Sequence, residues 1–267
     1  MRGRVLSIAG TDPSGGAGIQ ADIKTVTALG GFATTAITAL VAQNTLGVYR
    51  IVDVPEDFIA QQIENVLDDI GTDAIKTGML HTLGVMKIVA DMLKRKAAGV
   101  PLVVDPVMVA KSGDALLLEN AQAAVRDWLV PLATVVTPNQ PEAEILAGMS
   151  IRTREEQVEA GRRIVAGGAR AALIKGGHLP GETVCDVLVL DGRVETFEAP
   201  RLRTTSTHGT GCTLSSAIAT GLAQGLDIVA AVRRGRKYTW EAIRTAPGYG
   251  QGHGPLNHGH AIPDTPA

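Results

Sequence analysis

The chain has 267 residues, an ordinary length for one large α/β domain, and its 45% hydrophobic content against 19% charge excludes a disordered chain. A net charge of −2 without a basic block, and only 3% aromatic residues, argue against nucleic acid as the main partner. No apolar run reaches the length of a membrane span, Thr11-Asp12-Pro13 interrupts the basic start too early for a signal peptide, and Cys185 and Cys212 lie in separate motifs, so the expectation is a cytoplasmic protein with reduced thiols.

Taken in order, Val5 to Ala9 is a short apolar run ending at Gly10, the pattern of a buried strand. Thr11 to Gly18 is a turn-rich loop, and Ile19 to Leu29 reads as a helix stopped by Gly30-Gly31. Phe32 to Gln43 is β-branched and apolar and reads as one second strand. Ile51 to Val54 is a brief strand before Pro55, and Glu56 to Asp69 an amphipathic helix. Strands at 74–78, 101–105, 133–137 and 171–175 alternate with helices at 83–96, 141–147 and 154–166. Val184 to Leu190 and Arg193 to Phe197 flank Asp191-Gly192, a strong hairpin signal. A helix follows Cys212, another runs from about Ile228 to Ile243, and a Gly/His/Pro tail covers about 247–267. This alternation predicts βαβ units, right-handed crossovers and a mainly parallel sheet with both faces covered, in a single domain over 1–267. Ligands of such sheets bind beyond the carboxyl ends of the strands, where Asp12, Gln43, Lys76, Asp105, Asn139 and Lys175 fall.

The segment around His208-Gly209-Thr210-Gly211-Cys212 carries most of the chemistry. Two glycines bracketing a threonine suit a tight turn, and the residues after Cys212 repeat at three and four, as a buried helix does. A loop feeding a helix N-terminus presents orphan N–H groups and a partial positive charge to an anion, most commonly phosphate. Cys212 would sit in the first turn, where a thiolate is stabilised, although a small buried cysteine after a glycine-rich helix start is the plainer reading. Gly16-Ala17-Gly18-Ile19-Gln20-Ala21 fits the dinucleotide fingerprint, but its loop is too long and residues 33–41 hold no acid for the ribose, which disfavours a dehydrogenase. The P-loop pattern is absent.

Asp105 and Glu142 are the candidate Mg²⁺ carboxylates, since that hard cation is held by one or two acids plus substrate phosphates. Glu142 alone reads rather as a charge complementing a helix N-terminus, and it is Asn139 and Lys175, also at strand ends, that shift the balance toward a site. Asn139 at a strand end, and Lys175 before two glycines, could reach a phosphate; the alternative for Lys175 is a snorkelling surface lysine. Asp22 and Gln43 are the polar groups nearest the glycine-rich loop and could read a heteroaromatic ring, or else belong to a solvated helix face and a loop end. Val41, Met79, Val107 and Met108 could supply apolar walls. His253, His258 and His260 read as tail, Cys185 as inert core, and Trp128 and Trp240 as packing.

The stretches SIAGTDPSGGAGIQADIKT (7–25), TALVAQNT (38–45), IKTGML (75–80), VVDPVMVAKSGD (103–114), TPNQPEAE (137–144), IKGGH (174–178), THGTGCTLSSAIA (207–219) and GHGPLNH (252–258) together resemble the hydroxymethylpyrimidine/phosphomethylpyrimidine kinases of thiamine biosynthesis, in the ribokinase superfamily. The resemblance implies a ribokinase-like three-layer α/β/α fold, a homodimer, ATP as co-substrate and Mg²⁺. It implies that Gln43, with Asp22 assisting and Gly10, Val41, Met79 and Val107 around it, binds an aminopyrimidine. By the same resemblance, Lys175, Asn139 and Thr207 serve the nucleotide phosphates, Asp105 and Glu142 the metal, and Gly209, Thr210 and Gly211 form the anion hole beside Cys212 as base. Sugar kinases of the superfamily carry aspartate there, so cysteine points to the pyrimidine and pyridoxal branch. The lid Val109-Ala110-Lys111-Ser112-Gly113 lacks the second cysteine of some dual-specificity kinases, which leaves pyridoxal kinase as the alternative. A non-catalytic pyrimidine sensor on the same scaffold is the other, although all the candidate chemical residues are present.

Overall fold

A computed structural model describes residues 2–108, 116, 121–190 and 192–262; the expected lid at 109–113 and Asp191 of the hairpin signal lie outside the described residues. The continuous apolar runs became strands buried on both faces. Arg4–Ala9 (β1), Ala74–Thr77 (β5), Leu102–Val104 (β6), Val135–Val136 (β7) and Ala171–Ile174 (β8) form the parallel centre, as strands covered on two sides must. Phe32–Ile37 (β2) extends it beside β1, and the hairpin Thr183–Leu190 (β9) with Arg193–Pro200 (β10) closes the other edge antiparallel. The order across the eight strands is β10-β9-β8-β7-β6-β5-β1-β2.

The expected single strand from Phe32 to Gln43 is two strands. Thr38 is the corner: it is fully buried, its N–H bonds Ala9 O at 3.1 Å and its hydroxyl bonds Met79 O at 2.7 Å. The chain then leaves the main sheet as Ala39–Gln43 (β3) and pairs antiparallel with Val48–Asp53 (β4) in a separate ribbon. A β-branched threonine suits both strands, so composition carries no mark of the corner.

Helices cover both faces: Gly18–Ala28 (α1), Glu56–Asn65 (α2), Leu83–Lys96 (α3), Gln122–Ala124 (α4), Gln140–Ala147 (α5), Arg154–Ala166 (α6), Thr210–Ala223 (α7) and Ile228–Arg244 (α8). The helix expected to reach Asp69 ends its α geometry at Asn65, and Val66–Ile70 widens into a π turn closed by Gly71, whose N–H reaches Val66 O. After α4, a π turn at Val125–Leu129 and a 3₁₀ turn at Val130–Leu132 bury Val125, Leu129 and Val130 beneath the sheet. The sequence reading placed no element there.

α7 is the central helix, packed on α1, α8, β1, β5 and β6. It is buried almost all round from Thr213 to Gly221, and three of its hydroxyls are turned back onto their own helix. Thr213 donates to Gly209 O, Ser215 to Gly211 O and Thr220 to Ser216 O, which satisfies them without a solvent-facing side.

The tail reading of the late histidines does not hold. Thr213 Oγ1 pairs with His258 Nε2 at 2.9 Å, Tyr238 donates to His258 O at 2.6 Å, and Leu256 is buried. His253 N–H bonds Thr45 O and His208 N–H bonds Gly254 O, so residues 252–258 strap the β3–β4 turn to the loop before α7. These contacts are separated by up to about two hundred residues in sequence and leave no local pattern.

Candidate functional site

The strand ends open into a cleft of about 1090 Å³. Gly10, Gln43, Met79, Asp105, Val107, Asn139, Glu142, Lys175, Thr207, Gly209, Thr210, Gly211 and Cys212 all line it, which gathers most of the residues picked from the sequence. Two do not reach it. Val41 lies behind the wall, buried with Ala39 and Met79. Asp22 is fully buried on the inner face of α1, neither a ring reader nor a solvated helix face. It accepts from Ser7 at 2.5 Å and Ser216 at 2.7 Å and is paired to Lys76 at 2.9 Å. Removing one member of such a buried pair typically costs about 3–5 kcal/mol, so these groups are fixed to each other.

The glycine-rich loop between β1 and α1 is filled from within. Asp12, fully buried, accepts from Ser14 N, Gly16 N and Ala17 N and from the Ser14 hydroxyl. The N–H groups a dinucleotide phosphate would need are therefore already used, which accounts for the misleading fingerprint. Asp12 Oδ2 also pairs with His208 Nε2 at 2.8 Å. Burial alone would raise the Asp12 pKa, but the bonds from His208 and Ser14, the His208 charge and the Ala17 N–H outweigh it and hold the carboxyl below its ordinary range. The sequence reading gave His208 no partner. Its partner lies 196 residues away, and no local signal marks it.

The His208–Asp12 bridge brings the α7 N-terminus against the first loop. Gly209 has φ +78° and packs so closely on Gly16 that an added Cβ would overlap Gly16 O. Only glycine meets both demands. α7 has no side-chain cap; Thr210, Gly211 and Cys212 of its first turn line the cleft at the positive end of the dipole, and Thr210 N–H makes only a long 3.4 Å bond to Thr207 O. A Cβ on Gly211 would lie 3.3 Å from Lys175 Nζ and 3.4 Å from Asp105 Oδ2, so the helix start, the ammonium and the carboxylate converge on one spot.

Lys175 Nζ lies 3.4 Å from Asp105 Oδ1 and 4.0 Å from Glu142 Oε2. Burial would lower its pKa, but Asp105 and Glu142 raise it above the ordinary value, so it is cationic and no snorkelling surface residue. Asn139 caps α5 in a reciprocal box: it accepts from Glu142 N–H and Glu142 accepts from Asn139 N–H. Burial pushes Glu142 up to about 7, with Lys175 opposing and Asp105 adding to the rise. Asp105 Oδ2 is buried without a hydrogen-bond partner. Among the described residues no three His, Cys, Asp or Glu side chains group around one metal position. An orphaned carboxylate oxygen beside a proton-hungry glutamate fits Mg²⁺ completed by substrate phosphates better than a cation caged by protein alone.

Cys212 follows Gly211 on the cleft wall. The sequence reading expected its position to favour the thiolate; the structure reverses that balance. Burial pushes the thiol up to about 12, and the positive charge of Lys76 opposes the rise without overcoming it. In the unliganded protein Cys212 is a neutral thiol near pH 7. Gln43, at the end of β3, also lines the cleft, its amide Nε2 3.4 Å from Thr11 O, and Met79 and Val107 are apolar residues of the same wall.

A family model described as phosphomethylpyrimidine kinase matches residues 12–257. The hydroxymethylpyrimidine/phosphomethylpyrimidine kinase of Streptomyces coelicolor is 45% identical over 97% of this chain and 95% of its own. The thiamine biosynthesis bifunctional protein ThiED of Geobacter sulfurreducens is 48% identical over 96% of this chain, which spans 52% of that longer protein. An ADP complex of Bacillus subtilis pyridoxal kinase superposes with a TM-score of 0.90 at 38% identity, covering 97% of this chain and 98% of its own.

The anion-binding reading of the α7 start has a direct test. Pyrophosphate should raise the melting temperature of the native protein and leave that of Gly209→Ala unchanged, measured by differential scanning fluorimetry. Equal stabilisation of both proteins would place the anion elsewhere.

Proposed function

The chain belongs to the phosphomethylpyrimidine kinase family, and from that membership we propose that its cleft moves a phosphoryl group from ATP to the hydroxymethyl oxygen of 4-amino-5-hydroxymethyl-2-methylpyrimidine, and then to the resulting monophosphate. It is a phosphotransferase of thiamine biosynthesis, as its relatives are named. The observation that carries this reading is the convergence at Gly211 of an uncapped helix start, Lys175 and Asp105, with Cys212 as the next residue. Phosphoryl transfer asks for alignment and charge neutralisation more than for covalent chemistry, and these groups supply both.

The roles follow from position. The α7 N–H groups of Thr210 and Gly211, opened by Gly209, receive the migrating phosphoryl oxygens. Lys175 draws in the phosphates as a point charge, with Asn139 and Thr207 beside it. Asp105 and Glu142 would hold Mg²⁺, which when bound offsets the charge of the polyphosphate. ATP as donor is supported by the ADP complex of the similar pyridoxal kinase. Gln43 offers a donor and an acceptor on one amide, which suits the edge of an aminopyrimidine, with Gly10, Met79 and Val107 around the ring.

Cys212 takes the proton of the hydroxymethyl group in the small fraction of molecules that carry a thiolate. With a thiol pushed up to about 12, that fraction grows about tenfold per pH unit across the neutral and mildly alkaline range. The second acceptor is a phosphate already ionised near neutrality and asks for no base. The similarity in fold to pyridoxal kinase supports pyridoxal as a second acceptor to assay.

The two free thiols support a reducing, cytoplasmic setting, and no described helix is long and apolar enough to cross a membrane. The β3–β4 ribbon exposes Leu40, Leu46, Tyr49 and Val52, an apolar face that supports a homodimer.

Counting ADP with each acceptor should show native turnover on the pyrimidine alcohol and on its monophosphate. Cys212→Ala should cut the first step by about 10²–10⁴ and the second far less. The first step of the native enzyme should climb toward tenfold per pH unit between about pH 7 and 9. Equal losses in both steps, or a flat first-step profile, would refute the base role, and turnover of pyridoxal alone would refute the pyrimidine assignment. Gln43→Leu should raise the pyrimidine KM while leaving nucleotide affinity in place; an unchanged KM removes Gln43 as the reader. Sedimentation velocity should give a dimer that Leu40→Asp dissociates, and a native monomer contradicts the ribbon contact.

A further inference from the structure

Lys76 is a lysine in the middle of the sheet, on a strand with no exposed residue, and it lies outside every role assigned above. Its side chain crosses toward α1 and α7, where both oxygens of Asp22 accept from Nζ at 3.0 and 2.9 Å. An ammonium has three N–H groups, and Asp22 supplies the only hydrogen-bond partners of this one among the described residues. The ammonium is high in the sheet. A Cβ on Gly78 would lie 2.8 Å from Lys76 Nζ, and Gly78 directly precedes the cleft residue Met79. Ser216, which anchors Asp22 at 2.7 Å, is four residues after Cys212 and so one turn along the same face of α7. The pair therefore sits against the inner side of the helix face that carries the sulfur.

We propose that Lys76 is a positioning residue for the transfer: held beneath Cys212 by Asp22, its buried ammonium supplies the positive charge that lets the sulfur exist as a thiolate. The proposal rests on the base reading of Cys212 and adds to it the group that makes that reading workable. Four charges bear on the sulfur: Lys76 from β5, Asp22 from α1, Asp105 beyond β6 and Lys175 beyond β8. After burial, Lys76 is the leading influence on the thiol and the leading one that favours the thiolate, while Asp22 and Asp105 oppose it. Ser7 and Ser216 steady Asp22, so the counter-charge holds the ammonium in place at the expense of part of its field. No covalent step involves Lys76. The proton leaves the substrate hydroxyl for the sulfur while the oxygen forms its bond to the γ-phosphorus of ATP; the bond from that phosphorus to the bridging oxygen breaks, ADP leaves with the electron pair, and Lys76 keeps its own protons throughout.

The arrangement makes two substitutions act in opposite directions. Iodoacetamide alkylation of Cys212 tracks its thiolate and is measured on the unliganded full chain between pH 7 and 9.5, with peptide mass spectrometry reading Cys185 separately. Lys76→Met should slow Cys212 alkylation by about tenfold or more at each pH. Asp22→Asn removes the charge opposing the ammonium, which Cys212 and Asp105 still favour, so alkylation should be faster than in the native protein. A merely structural disturbance would move both variants the same way, and two changes of one sign, or none, overturn the proposal. Should Lys76→Met fail to fold by circular dichroism, Asp22→Asn decides alone: unchanged or slower alkylation overturns it. Equal losses in both phosphoryl-transfer steps for Cys212→Ala would sink the base reading while leaving the alkylation result standing, so the two failures are distinguishable.

Discussion

One buried carboxylate fixes the geometry on which the cleft depends. Asp12 takes three backbone N–H groups of its own loop on one side and His208 on the other. That joins the first loop of the chain to the start of α7. The helix start is then pressed so close to Gly16 that the next residue has to be glycine. An unpaired charge at that depth would cost several kcal/mol, so the bridge is an obligation of folding as much as a device of the site. Everything the cleft does with anions follows from α7 being held at that spot and in that direction.

Polar groups in the interior of α7 serve the same end. A helix buried all round is expected to be apolar. This one carries Thr213, Ser215, Ser216 and Thr220 instead, and their hydroxyls are spent locally or on neighbours. Ser215 meets Thr137 at 2.9 Å, next to the strand end that bears Asp105. Ser216 meets Asp22, and Thr213 meets His258. Each contact ties the helix to a different strand, loop or strap.

The electrostatics of the cleft are those of a site incomplete without ligand. Lys175 stands between Asp105 and Glu142, a carboxylate oxygen is left without a partner, and burial keeps Cys212 protonated. Cationic and anionic groups are both present and largely buried, where each charge is felt more strongly than at the surface. On the proposed function, a polyphosphate with its cation would give these groups their partners.

The alternation of apolar runs with amphipathic segments determined the sheet, its parallel centre and the line of polar residues at the strand ends, because burial on two faces leaves a periodic trace in sequence. The glycine pair around Thr210 marked the uncapped start of α7, since a helix start and a φ > 0 turn are local properties. What the sequence did not carry is distance. Whether Asp22 faces the cleft or Lys76, whether the late histidines trail or strap, and where Phe32 to Gln43 bends at Thr38 are settled by partners far along the chain. The same holds for Cys212: its place at a helix N-terminus is written locally and favours the thiolate, but the packing that strips its solvation comes from several elements at once and prevails. Local conformation is encoded residue by residue; desolvation and long-range pairing exist only after the chain has closed on itself.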